Sequence, residues 1–491
     1  MTTIKAPVVG YRSWFEPALL VGFRFVQGSK PMIREGYDNF KNAMFYVQRN
    51  DSKILVISHK HVDQLRNMPE EKLSAIRAHL KNLVNKYSVG DILLKTDLHF
   101  RTLQTKLTPS LNNTIPLLQD EMDFAIEAEV PKGVESDWTS VQIYDIVLHI
   151  VARLSARVFL GPELCRNREW LDTSIHYTEN LFETVIFLRA LPTFVHPFVA
   201  HMLPSYWRMK ANFTTAKRLI TPMVLERRSN EANFASYEKP KDMLQWMMDG
   251  AQNDYEKDTA TLSHLQLLLS LASIHTTTMA CAHSIYDLCA HPEFFEPLRE
   301  EISSVLSSSD INQKQTLQKL VKVDSLIKES QRVNPPSQLA FNRIVMDKPL
   351  QLKDGPTLPA GTHFAMASDA VLHDAAYLPG ATQGANTAEF DPFRYSKLRE
   401  EAVAKGNSEA GNRYQFATTD NSSLHFGHGK YSCPGRFFAA NEIKLILARL
   451  LLDYEFKYPE GQGRPVNLSA DENLYPDPNA RVMMRRRQQK A

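Results

Sequence analysis

Apolar residues recur along this chain mainly at three- and four-residue spacings, the period of helices that bury one face. The clearest stripe covers residues 138–160, with Val141, Ile143, Ile146, Val147, Ile150, Val151 and Leu154, and stops at Gly161-Pro162. The longest helical pattern spans 260–290 and ends at His291-Pro292. Further helices are predicted over 31–43, 293–307 and 315–332, the last closing before Pro335-Pro336. A final helix runs from Phe437 to Leu452, with Ile443, Leu447 and Leu450 on one face. Two short runs, Ala43–Val47 and Ile54–Ile57, flank the turn signal Asn50-Asp51-Ser52 and read as a hairpin. After residue 336 the periods shorten, and Pro359-Ala360-Gly361-Thr362 reads as a turn between strand-like pieces. The fold class is therefore mainly α with a small β region.

The same pattern offers no complete membrane span. The apolar run Trp14 to Val26 is interrupted by Glu16 and Arg24, and a span needs about 20 apolar residues. It also lacks the layout of a secretory signal. A second apolar stretch, Phe187 to Trp207, contains Pro192, Pro197 and Pro204, which are expected to break it into a loop. Length alone allows about three domains. Glycine is sparse, at 19 in 491 residues, and no linker or repeat divides the chain, so a single domain over 1–491 is expected. A hydrophobic content of 43% supplies a sizeable core, and a net charge of +2 excludes a broad nucleic-acid-binding field. The triplet Arg485-Arg486-Arg487 reads as a solvated end.

The four cysteines are Cys165, Cys281, Cys289 and Cys433. No CxxC pair is present, which argues against a zinc knuckle or a ferredoxin-type cluster. Cys281 and Cys289 share the long helix about 12 Å apart, too far for a disulfide. Cys433 sits in HFGHGKYSCPGRFFAANE, behind Gly427 and Gly429 and ahead of Pro434-Gly435. It reads as a packing residue, half of a disulfide, or a ligand. Pro434 suits a first helical turn. The thiol then falls about at a helix N-cap, where orphan N–H groups are expected to lower its pKa. A lone thiolate that binds metal without cysteine partners points to haem iron.

The string Phe426-Gly427-x-Gly429-x-x-x-Cys433-Pro434-Gly435-Arg436 resembles the haem-binding loop of the cytochrome P450 superfamily, the haem-thiolate monooxygenases. Glu329-Ser330-Gln331-Arg332 is similar to that family's ExxR pair, and Phe390-Asp391-Pro392-Phe393-Arg394 to its PERF segment. Ala272-Ser273-Ile274-His275-Thr276-Thr277 resembles the oxygen-activating stretch of its long central helix. The phrases NPPSQLAFNR, SIHTTT and FGHGKYSCPGRFFAANE look most like filamentous-fungal enzymes that decorate terpenoids and related secondary metabolites.

The resemblance implies haem b held between the long central helix and the Cys loop with its following helix, Cys433 being the axial ligand. Phe426 would pack beside the ligand, and Gly427, Gly429 and Gly435 would leave room for the macrocycle. Glu329, Arg332 and Arg394 would form a buried structural network under the haem. Thr276 would hand on protons during oxygen activation. Ser273 stands where the family has glycine, and His275 where it has an acid. An imidazole can shuttle protons or be a hydrogen-bonded core residue. The haem propionates need donors, for which Tyr431, Lys430 and Arg343 are candidates. His99 or Arg101 is a further candidate, because the family's usual Trp-xxx-Arg is absent there. The activity implied is oxidation of a bulky apolar substrate with O2 and electrons from NADPH-cytochrome P450 reductase, or desaturation or rearrangement on the same haem; the rival is a haem protein that no longer catalyses. Family likeness puts Phe187–Trp207 between two helices that roof the substrate pocket. There it either packs on the core or makes peripheral contact with the cytosolic face of the endoplasmic reticulum. With no complete anchor visible, a soluble cytoplasmic form is the alternative.

Overall fold

The computed structural model describes residues 4–309, 314–382 and 384–488. Its axis is the central helix, Thr259–Ala290. Asp258 caps its start by accepting from the Thr261 amide at 3.0 Å. At its other end the helix gives way to His291 ahead of Pro292. Helices Ile143–Phe159, Arg168–Arg189, Pro204–Asn233, Val321–Val333 and Arg436–Asp453 all pack against it. This is why its apolar residues run all round rather than along one stripe. It is long and apolar enough to cross a membrane by composition, but 72% of that window is buried inside the protein, as suits a core helix.

Two predicted helices are divided. In 138–160 the segment Thr139–Val141 is a strand, paired antiparallel with Val482–Met484, and the helix begins at Ile143. The pattern 315–332 breaks at Leu320 into Lys314–Lys319 and Val321–Val333. The reason is a cap from outside: the Glu301 carboxylate accepts from the Lys322 and Val323 amides at 2.7 and 3.1 Å, satisfying the start of the second helix.

The predicted hairpin is Met44–Gln48 with Lys53–Ile57, Val47 opposite Ile54. It belongs to a five-stranded sheet in the order Met44–Gln48, Lys53–Ile57, His363–Ala367, Leu339–Val345, Leu73–Ser74. The register slips between Ala340 and Arg343, where Phe341 adopts φ 56°. A bulge of this kind re-aims the side chains that follow it. A separate small hairpin pairs Leu468–Ala470 with Asn473–Tyr475.

The expected loop from Phe187 to Trp207 is mostly helical. The helix Arg168–Arg189 ends there, a 3-10 turn covers Thr193–Val195, and helix His196–Met202 precedes Pro204–Asn233. Pro197 and Pro204 fall in first helical turns, where a missing N–H costs nothing, so they start helices instead of breaking one.

Candidate active site

Cys433 lies in the loop before helix Arg436–Asp453, whose N-cap is Gly435. The expected N-cap position is thus two residues off. The Gly435 and Arg436 N–H groups and the Arg436 guanidinium favour a thiolate, but burial outweighs them and lifts the thiol above its ordinary pKa. The expectation of a lowered value is corrected on that ground: desolvation wins over the helix end in the protein alone. A bound metal ion deprotonates a coordinating thiol outright. The loop is closed by the Cys433 N–H donating to the Phe426 carbonyl at 2.7 Å. Gly429, at φ 77°, could not carry a Cβ without striking the Arg66 backbone. The Lys430 N–H donates to that Arg66 carbonyl at 3.0 Å. Gly429 therefore serves a close backbone approach, and of the three glycines only Gly435 faces open space.

Glu329, Arg332 and Arg394 meet as the motif spacing implied. Arg332 donates to both Glu329 oxygens at 2.8 and 2.9 Å, and Arg394 Nε reaches the same carboxylate at 3.2 Å. Arg332 also donates to the Thr387 and Glu389 carbonyls at 2.6 and 2.9 Å, fixing the segment that leads into Arg394. The sequence reading did not find how this helix reaches the Cys loop. Asp324, one turn earlier, accepts from the Phe416 amide at 2.8 Å and pairs with Lys444 of the final helix at 2.5 Å. Lys328 donates to the Arg413 and Gln415 carbonyls. The Phe416 ring then stacks on His425 and meets Phe426 edge-on at 5.1 Å. Spacing at i and i+4 on a helix was the available signal, but their partners lie far along the chain.

Thr276 and Ala272 are exposed although they sit in the middle of a core helix. They line one cleft with Cys433, Phe426, Ala439 and Ile443, so the central helix and the Cys loop with its following helix form its walls. Thr276 Oγ1 donates to the Ala272 carbonyl at 2.8 Å. His275 does not join them. Its Nε2 lies 3.3 Å from the Ile175 carbonyl on helix Arg168–Arg189, the roof helix by family likeness, and its Nδ1 lies 3.3 Å from the Tyr144 hydroxyl. Burial lowers its pKa to about 4, so the ring is neutral at ordinary pH. On this geometry His275 is a clamp between helices, and the proton-relay reading is corrected. Farther along the cleft, His283 and Asn334 belong to a network that sequence reasoning missed: Arg464 donates to Asp287 at 2.6 Å and to Asn334 at 2.9 Å.

Of the expected propionate donors, Arg343 and Tyr431 are together, with the guanidinium 5.4 Å from the ring centroid. Arg343 Nη2 and the Tyr431 hydroxyl are buried without a well-formed hydrogen bond. Burial lowers Arg343 to about 10, and burial with nearby Glu70 raises Tyr431 to about 12. A buried guanidinium with a free arm has an unmet hydrogen-bond donor, and a propionate would meet it. His99 Nδ1 is likewise buried without a partner. Arg101 is not available: it is committed to Asp97 at 2.6 Å and Glu256 at 2.8 Å. Lys430 is exposed, its ammonium 5.5 Å from the Tyr431 ring centroid. Among the described residues no group of three or more His, Cys, Asp or Glu can hold a metal ion. These features fit an iron carried by a dianionic macrocycle on a single thiolate.

Comparison with known proteins agrees. The cytochrome P450 family model matches residues 20–484. The chain is 60% identical over 487 residues to cytochrome P450 monooxygenase AN1598 of Emericella nidulans, covering 99% of this chain and 88% of that protein. It is 42% identical to ent-kaurene oxidase P450-4 of Gibberella fujikuroi, covering 99% of this chain and 93% of that one. The solved structure of a retinoic acid-bound cyanobacterial CYP120A1 superimposes with a TM-score of 0.69 at 17% identity, over 98% of this chain and 99% of that chain. The fold, the Cys loop and these likenesses converge, and the chain belongs to the cytochrome P450 family, haem enzymes whose iron is held by a cysteine thiolate.

Proposed function

We propose that this monooxygenase oxidises a bulky apolar terpenoid or meroterpenoid, taking electrons from NADPH-cytochrome P450 reductase. The observation that carries the reading is the cleft wall: Ala272 and Thr276, exposed inside a core helix, share one cleft with Cys433. The likeness to a protein named ent-kaurene oxidase supports the terpenoid class.

Haem, when bound, supplies reductive activation of O2 at an unreactive C–H bond. The chain's residues hold and serve that chemistry. Cys433 offers the sulfur ligand, while the Gly435 and Arg436 amides temper its charge. Arg436 Nη1 holds the Cys433 carbonyl at 2.9 Å, fixing the loop. Arg343, Tyr431 and His99, whose polar atoms are buried without a well-formed hydrogen bond, would hold the propionates. The Thr276 hydroxyl donates its one hydrogen to the Ala272 carbonyl; turned away from that carbonyl it would donate into the cleft while a lone pair accepts a hydrogen bond from solvent, which is what handing on a proton requires. His275 keeps the central and roof helices in register. Ala272, Met279 and Leu474 give the cleft an apolar lining that orients substrate by shape.

Attachment to the cytosolic face of the endoplasmic reticulum is part of the same reading. Trp14, Phe15 and Leu20 are exposed at and beside the apolar helix Ala18–Gln27, and Phe194, Phe198, Met202 and Trp207 along the roof. Asn50 joins the two regions: Gly22 packs on it, and its Nδ2 donates to the Ala190 carbonyl at the end of the roof helix, 2.7 Å. Large exposed apolar groups of this kind mark an interaction surface.

The test is optical. Purified protein should show a low-to-high-spin shift with polycyclic terpenoids and none with medium-chain fatty acids. The opposite pattern sinks the terpenoid assignment.

A further inference from the structure

The roof helix Arg168–Arg189 ends in a buried ion cluster. Arg189, 3% exposed, pairs with Glu472 at 2.5 Å and with Asp471 at 3.3 Å. Both acids form the turn of the small hairpin, between Ala470 and Asn473. Arg49, fully buried on the turn after Met44–Gln48, reaches Glu472 at 3.4 Å and Asp51 at 2.7 Å. Three elements distant in sequence are therefore tied at one point: the roof, the large sheet and the hairpin.

The hairpin also reaches the cleft. The Leu474 amide donates to the Pro336 carbonyl at 3.2 Å, and the Gln338 amide to the Glu472 carbonyl at 2.6 Å. Leu474 and Pro336 both line the cleft beside Thr276 and Cys433. Moving the turn at Asp471-Glu472 moves Leu474, two residues on. The two acids do not hold Arg189 equally. Asp471 sits at φ 54°, and its oxygens make no hydrogen bond of good geometry. Burial pushes Asp471 up to about 6. Against the same burial penalty, Arg189 and Arg49 hold Glu472 below the ordinary carboxylate range, so Glu472 carries the firm charge.

Such a cluster is a poor device for stability, because well-packed apolar residues of similar volume often do as well or better. Its attested use is to fix register between elements. We propose that Arg189–Glu472 is a specificity-determining positioning pair. It locks the end of the roof to the hairpin that carries Leu474, and so sets the largest molecule that enters the cleft. This rests on the reading of the cleft as the place where a bulky apolar guest meets haem.

The experiment uses azole ligands, which bind the haem iron through nitrogen whatever the natural substrate, so failure of the terpenoid assignment leaves it intact. Imidazole, 4-phenylimidazole and a triaryl imidazole are mixed with the holoenzyme in stopped flow, and the Soret shift gives each on-rate. The variants are Glu472→Gln and the paired Arg189→Met, Glu472→Met, which removes one charge of each sign. Both should keep the ferrous carbonyl band; Glu472→Gln, which leaves buried guanidinium groups short of a charge, should lower the unfolding midpoint by a few degrees yet stay folded at assay temperature. The on-rate ratio of triaryl imidazole to imidazole should rise about tenfold in the pair and less in Glu472→Gln, on the scale of ordinary coupling energies. An unchanged ratio in a folded variant overturns the proposal. If the pair misfolds, Glu472→Gln decides alone: a raised ratio supports the lock and an unchanged one refutes it.

Discussion

Replacing Glu329 by glutamine keeps the shape of the side chain and removes one buried charge. The carboxylate is fully buried and accepts from Arg332 at 2.8 and 2.9 Å, Arg394 at 3.2 Å and the Asp391 amide at 3.1 Å. Glutamine can satisfy only part of this set and leaves two guanidinium groups facing a neutral amide. Breaking one side of a buried ion pair costs about 3–5 kcal/mol, because the remaining charge stays desolvated. Unfolding entropy is about 2.1 cal/mol/K per residue, so 491 residues give about 1 kcal/mol/K. A loss of about 4 kcal/mol then lowers the melting midpoint by about 4 °C. The Arg332 side chain is 1% exposed and the Arg394 side chain 16%, so Arg332→Leu should cost more than Arg394→Leu. Far-UV circular dichroism of the haem-loaded variants measures the shifts. A Glu329→Gln midpoint within a degree of the parent, or Arg394→Leu costing most, would refute the reasoning.

Thr276→Ala should retain substrate binding but turn more of the consumed NADPH into peroxide, whereas His275→Asn should leave that coupling close to the parent's; equal coupling in Thr276→Ala and parent removes the hydroxyl from proton transfer. Arg343→Met should release haem to apomyoglobin faster than the parent, and Arg343→Lys should restore part of the retention; parent-like release in the methionine variant shows that Arg343 faces no propionate. Glu442, wholly buried with Ser155 donating to it at 3.1 Å, is raised by burial from 4.5 to about 8. The folded state therefore keeps a proton that the unfolded chain releases, so the stabilisation is complete below pH 4.5 and is lost as pH rises toward 8. Glu442→Gln should gain about 3 kcal/mol on the parent between pH 4.5 and 7; a urea-unfolding difference that does not grow with pH contradicts the shift.

What the sequence disclosed were features whose partners lie close along the chain. The Glu329–Arg332 pair and the central helix are local patterns that the structure places where their spacing implied, and Cys433 sits in the loop ahead of the final helix, two residues before its N-cap. Orientation about a helix axis was less legible. His275 and Thr276 are neighbours, yet one faces the roof helix and the other the cleft, a difference of about 100° per residue. Arg101 was misread although Asp97, four residues before it, is one of its acid partners and was legible; the second, Glu256, arrives from a distant segment. The same distance hid Asp324 with Phe416, Asp287 with Arg464, and Arg189 with Glu472. The roof helices were misread for another reason: proline reads alike as a helix breaker and a helix starter until the turn around it is known.

The central claim is that the Cys433 sulfur holds the haem iron, and the ferrous carbonyl spectrum tests it most directly, since only a thiolate opposite carbon monoxide gives the red-shifted Soret band. The parent should show that band, and Cys433→Ser, loaded with haem, should lose it while keeping its far-UV spectrum. A serine variant that retains the red-shifted band would mean that another residue ligates the iron.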